Sequence, residues 1–449
     1  MGLSTLTIVF GCIAAATSIV YADHAVQVLR FPAPILGVAM ALAIFIEGRA
    51  GLRNLVRVDL FMLAVLYLLT FLEFLVPLPD LTGRVSMDGA QTAVLATLLG
   101  FAGIAIGRHA YPARLPLARV LRVRVTPRAT ILLFTGSAFL GHLYMLVAVN
   151  FDIAELVYQA SRPRFSQPWS RGRLGGFNTL LNEVGLLKFL LPPLGASILA
   201  QWRKYNLLFL CFALVVLSFV FYEAFAAGTR NVFLTHLSTF TVAYALLIQR
   251  LTLVRLMAII APMGFVAWFA IYYLPEIRTV GLQNFDLENA RTETLFVDLN
   301  LVNVANLTQV FPDLAPFLGL EVPVTAVIRP IPRALWPGKP EGLSITIEQA
   351  LGVDSLTLSA TFIGELWMAG GYLAVVIAAL SFGAIAGRWN RVGASADSTM
   401  RLILFTAGFF PAGICMRSFL GVVPTVLPLV ALILFIRVWV PGRIRARRT

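Results

Sequence analysis

The feature that most constrains this chain is a recurrence of apolar runs, most of them about 18 to 24 residues long. They fall near residues 3–22, 31–46, 58–77, 89–107, 129–149, 179–200, 206–226, 232–249, 256–274, 359–387, 402–421 and 423–440. Wound as a helix, such a run crosses roughly 30 Å of hydrocarbon with every backbone N–H and C=O bonded internally. A mean hydropathy of +0.85 excludes an ordinary soluble globule. The expected fold is an all-α polytopic membrane protein with about twelve transmembrane helices, residues 1–449 forming a single transmembrane domain. The first run lacks a basic leader and a small-residue exit before Asp23, so it reads as a retained span.

Charge gives the orientation. With both termini in the cytoplasm, about 21 of the 35 Lys and Arg fall in cytoplasmic loops and the tail, among few acids. The net charge of +13 therefore reports membrane orientation. Nucleic acid is excluded as a partner, because the arginines flank helix ends without interleaved aromatic residues. Cys12, Cys211 and Cys415 all lie within apolar runs, which leaves no disulfide framework and no metal-ligand spacing. His24, His109, His142 and His236 are scattered, so a histidine-based site is not expected, nor is a metal or other cofactor.

Two outer connections break the rhythm: a first periplasmic loop at 150–179 and a large one at 275–358. Loops of such length usually carry function. Within the second, residues 292–311 alternate as a helix lying on the membrane or on the bundle would. The first concentrates Arg162, Arg164, Arg171 and Arg173, against the trend of the positive-inside rule. Guanidinium forks suit bidentate binding of phosphate or carboxylate. Trp169 and Trp336, one in each loop, are candidates for stacking on sugar faces or for anchoring at the interface.

Several charges sit where charge is costly. Glu183 and Lys188 precede Pro192–Pro193, which should bend or break that span. Glu223 and Arg230 flank a tight turn, Glu365 follows the large loop by one helical turn, and Arg417 ends the penultimate run. All fall in the outer half of the bundle and imply a polar cavity there, rich in guanidinium groups.

The stretch "RPIPRALWPGKP" (Arg329–Pro340), followed by "SATFIGELWMAGGYLAVVIAAL", resembles the Wzy-type oligosaccharide repeat-unit polymerases. The turn "AGTRN" (227–231) is similar to an outer turn of that family, and Arg417 occupies the place of an arginine near its last outer turn. Arg164 and Gly175 match its RX10G spacing, although the large loop has no second copy. Where the family often has Asn before Gly, this chain has Met368–Ala369–Gly370.

The resemblance implies a metal-independent polymerase at the periplasmic face of a bacterial inner membrane. It would transfer a growing glycan from undecaprenyl diphosphate to the non-reducing end of a new lipid-linked repeat unit. Besides that lipid-linked oligosaccharide and membrane lipids, a polysaccharide chain-length regulator is a further candidate partner. Glu365, Arg333 and Arg230 are the catalytic candidates, with Glu365 as base and Glu276 and Glu341 as alternatives. Arg164, Arg171, Gly175, Arg278, Arg329, Trp336, Lys339 and Arg417 are the substrate-binding candidates.

A ligase using the same lipid is disfavoured, since residues 275–358 contain none of the histidines such enzymes usually carry in the large loop. A polyprenyl-phosphate-sugar glycosyltransferase would need an acidic motif in the first outer loop, which holds only Asp23. A transporter or flippase would show internal repeats and midplane charges; apart from Glu73 in "FLEFL", which suits helix packing, neither is visible.

Overall fold

A computed structural model describes residues 2–76, 80–81, 83–110, 126–169, 178–228, 230–248, 252–288, 298–331, 335–340, 342–353, 358–394 and 398–439. Among the described residues the regular structure is helical throughout, without strands. The first part builds α1 (Leu3–Ser18), α2 (Ala25–Arg30), α3 (Pro32–Arg49), α4 (Val58–Thr70) and α5 (Met87–Gly107). The middle supplies α6 (Pro127–Ala148), α7 (Ile153–Ala160), α8 (Asn178–Gly185), α9 (Leu191–Ala200), α10 (Leu207–Ala226), α11 (Arg230–Leu247) and α12 (Leu253–Val280). The long connection holds α13 (Asn300–Val310), α14 (Glu321–Ile328) and α15 (Ile347–Ala350). The chain ends with α16 (Thr361–Ala394), α17 (Thr399–Ala407), α18 (Phe409–Arg417), α19 (Val422–Thr425) and α20 (Leu427–Trp439).

Among the described residues, 9 helical stretches are long and apolar enough to cross a membrane. Each of the other three apolar runs has a shorter counterpart: Val58–Thr70, Val232–Leu247 and Val422–Val438. Two boundaries differ from the sequence expectation. The second span begins earlier, as Ala25–Arg49, and α12 continues through Pro275 to Val280, so the long connection starts later than residue 275. Pro192 and Pro193 stand at the start of α9, just after a 3-10 turn over Leu186–Leu190. Proline lacks the N–H that a helix interior needs, and its ring clashes with the preceding turn. The span is therefore interrupted, and a new helix starts with the prolines in its first turn, where the missing N–H is harmless.

The core of the bundle is the contact of α5 with α16. Gly100, Gly103 and Gly107 face Ile363, Ala379 and Leu380, and Gly383 and Gly387 return the contact against the Ile104 and Arg108 backbone. A Cβ on Gly103 would lie 2.6 Å from that of Ala379. Small residues at a four-residue spacing bring two backbones together where lipid offers no hydrophobic drive.

One departure from regularity and one buried helix shape the end that carries the long connection. α16 is broken at Gly370–Gly371, where Gly371 adopts φ 61 and ψ −145. The carbonyls of Met368 and Ala369 instead accept from the N–H groups of Leu318 (2.8 Å) and Gly319 (2.9 Å) in the long connection. Irregular backbone inside a bundle needs such replacement partners. α13, the helix expected on the membrane or on the bundle, packs within the bundle against α4, α5 and α16. Leu301, Val304, Ala305 and Leu307 on it are fully buried.

Candidate functional site

Several chain segments converge at the loop-bearing end. After α4 a 3-10 turn, Leu72–Leu75, carries Glu73, which is buried. Its neighbours include Asp298, the Leu299 backbone and Arg230. Glu73 Oε1 has no hydrogen-bond partner among the described residues.

Arg230 begins α11, where a cation opposes the helix dipole. It is held there by an ion pair with Asp298. The preceding turn is set by Gly228 at φ +61, where a Cβ would lie 2.5 Å from the backbone N and Cα of Arg278. Contact with α12 and a left-handed turn thus fix Arg230 and Arg278 relative to one another. Arg278, in the last turn of α12, stands 5.2 Å over the Phe165 ring. Gly281, at φ +81, would bring a Cβ within 2.7 Å of Pro163, so the first loop rests on the end of α12.

Arg417 ends α18, where the helix dipole favours a cation. It lies within electrostatic reach of Asp298, Arg230, Arg278 and Glu365. Glu365, in the first piece of the broken α16, is buried. Its Oε1 accepts from Ser418 Oγ (2.7 Å) and its Oε2 from the Leu420 N–H (2.9 Å). Glu365 therefore fixes the turn that follows Arg417. Arg329 also lies within its electrostatic reach.

The structure thus brings together Arg230, Arg278, Arg417 and Glu365 of the sequence candidates, with Arg329 at the margin, and adds Glu73 and Asp298. The signal for Glu73 was present, a carboxylate inside an apolar run, but the sequence favoured helix packing there. Asp298 carries no local signal, since its partner lies 68 residues away. Arg164 is half-buried in the 3-10 turn Arg164–Ser166 and sits within electrostatic reach of Tyr144. Glu276 is half-buried on α12. Arg171, Arg173, Gly175, Arg333 and Glu341 lie outside the described residues.

One expectation needs correction. Trp169 is buried among Met145, Val149, Leu156 and Ala160, with its indole N–H on Gln167 Oε1 at 3.0 Å. It serves the core of the first loop and cannot stack on a sugar; Trp336, 41% exposed, can. Lys339 donates to the carbonyls of Arg329 (2.7 Å) and Ile331 (2.9 Å), so it first closes its own loop.

Deeper in the bundle, Lys188 and Glu223, single charges in the sequence, pair with one another. Lys188 Nζ lies 2.9 Å from both Glu223 oxygens and 3.0 Å from the Tyr144 hydroxyl. His142 and His236 flank them, each hydrogen-bonded to a carbonyl of its own helix through Nδ1.

At the opposite end a second cluster joins α1, α3, α4, α5 and α16. Asp59 is fully buried and accepts from Arg57 (2.9 and 3.0 Å), Arg108 (2.9 Å) and Asn390. Arg57 also reaches Glu47, and Arg108 donates to Ser4 and Thr5. His109, just past α5, contacts Thr5 at 2.7 Å. Burial, reinforced by the Arg108 guanidinium, holds its imidazole below the ordinary value. Among the described residues no group of three or more His, Cys, Asp or Glu could hold a metal ion.

No protein-family model, curated protein or solved structure matches the chain.

Proposed function

We propose that the chain is a twelve-pass membrane glycosyltransferase of the Wzy type. It would elongate lipid-diphosphate-linked oligosaccharides at the outer face of a bacterial inner membrane. The observation that supports this is the gathering of Arg230, Arg278 and Arg417 with Glu73, Asp298 and Glu365 at one end of an apolar bundle, under a long connection. Guanidinium groups at the end of membrane helices suit a diphosphate whose lipid tail stays in the bilayer.

In this reaction the bond between the anomeric carbon and the donor's diphosphate oxygen breaks. A hydroxyl oxygen of the incoming unit bonds to that carbon, and its proton passes to a carboxylate. The arginines stabilise the charge that builds on the departing diphosphate. Glu365 is held on both oxygens by Ser418 and Leu420 and keeps Arg417 in place. Glu73, with an oxygen that has no partner among the described residues, suits the proton transfer better.

The test is elongation of a lipid-linked repeat unit by purified protein in proteoliposomes without an ion gradient, read as polymer length on gels. Wild type should give a ladder. Arg230→Ala and Arg417→Ala, correctly inserted, should each lower the rate by about 100- to 1000-fold, as loss of a transition-state donor does. Wild-type ladders from both variants would defeat the proposal. The break in α16 favours one second reading, a carrier of the same lipid, because discontinuous helices line transport sites. Movement of the lipid across the bilayer by wild type, with no elongation, would select it.

A further inference from the structure

A groove of about 730 Å³ opens between the end of α1, α2, the start of α3 and the 3-10 turn Leu72–Leu75. It is separate from the arginine cluster but shares that turn with it: Glu73 belongs to the cluster, while Phe74 and Leu75 line the groove. Its polar lining is Ser18, Tyr21, His24, Gln27 and Arg30, and among the described residues no carboxylate contributes to it. Arg30 forms no ion pair among the described residues. Gln27 Oε1 accepts from the Asp23 N–H, which leaves its amide group as a donor.

The groove continues as apolar surface. Pro34, which lines it, is followed on the same face of α3 by Val38, Leu42 and Phe45, at spacings of four, four and three. These three side chains are 60%, 50% and 63% exposed. On α1, Ser18 at the groove is preceded on its own face by Ala14 and Phe10, both exposed. A cationic mouth therefore opens onto a track that leads back along two apolar helices.

We propose that this groove binds an anionic phospholipid of the surrounding membrane, its phosphate on Arg30 and Gln27 and one acyl chain along the Val38–Leu42–Phe45 face. A zwitterionic lipid would bring an ammonium group into a lining that holds no acid among the described residues, which is why the net-anionic headgroup is the better fit. The proposal is independent of the glycosyltransferase assignment.

The full chain, delipidated in detergent, would be titrated with phosphatidylglycerol or phosphatidylcholine and the bound lipid counted by native mass spectrometry. Wild type should retain phosphatidylglycerol preferentially. Arg30→Gln should weaken retention about fivefold, the worth of one interfacial cation. Leu75→Trp, at a 46% exposed position, should occlude the groove and remove the preference. Equal retention by wild type and both variants would overturn the proposal. So would displacement of phosphatidylglycerol by equimolar undecaprenyl diphosphate, which would reassign the groove to a substrate lipid.

Discussion

The two ends of the bundle hold similar residue types and use them differently. At one end the guanidiniums of Arg57 and Arg108 meet the carboxylates of Asp59 and Glu47 within 3.7 Å or less, and Ser4, Thr5 and Asn390 satisfy further atoms. Among the described residues that cluster is closed: its two guanidiniums and two carboxylates pair with one another and tie five helices together. At the other end Arg230, Arg278, Arg329 and Arg417 gather around Asp298, Glu73 and Glu365. There Glu365 is committed to a neighbouring turn, and Glu73 keeps an oxygen without a hydrogen bond among the described residues. A buried cluster whose charges pair with one another suits structure; one that gathers several guanidiniums beside a carboxylate oxygen without a hydrogen bond among the described residues suits an anionic ligand.

The sharpest way to break this comparison is Asp59→Ala. It leaves Arg57 and Arg108 with Glu47 as their remaining carboxylate among the described residues, and removing one partner of a buried ion pair costs about 3–5 kcal/mol. Folded yield and Tm should fall steeply, while each molecule that still folds should elongate substrate normally. Loss of activity per folded molecule, with Tm unchanged, would reverse the roles assigned to the two ends.

A smaller effect is expected from Gly228→Ala. A Cβ at φ +61 costs about 1–2 kcal/mol, and here it also meets the Arg278 backbone. Polymer length should shorten more than Tm falls, because the turn sets Arg230 and Arg278. A pure Tm effect would mean that their spacing is not used. Comparing Glu73→Gln with Glu365→Gln sharpens the chemistry: the first should abolish a pH-dependent limb of the rate, and the second should lower the rate at every pH.

The smallest effect belongs to His109. Its folded-state imidazole lies below the ordinary value, so the unfolded chain takes up the proton first. Stability should therefore decline as pH falls through about 6.5. His109→Gln should flatten that decline in a thermal-melt series and leave neutral-pH Tm nearly unchanged.

The helical runs were legible because hydrophobic length needs no partner to be read. Pro192–Pro193 likewise announced an interruption by backbone chemistry alone. Pairings across the chain were not legible. Arg108 reads as one of many arginines flanking a helix, yet it is buried on Asp59, 49 residues earlier. Lys188 and Glu223 are 35 residues apart and gave no hint of their pairing. Trp169 shows the same limit, since a loop tryptophan looks the same in sequence whether it faces a sugar or a small core.

The docking of Leu318 and Gly319 on the broken α16 involves backbone groups on both sides. Such an attachment is indifferent to most side-chain replacements, so the long connection can change its residues freely while keeping its seat. It is intolerant of a change in length near that point, because a single inserted residue moves both N–H groups out of register. The segment around Leu318–Gly319 should therefore accept substitution and reject insertion, and two such loops could share this attachment while sharing few residues.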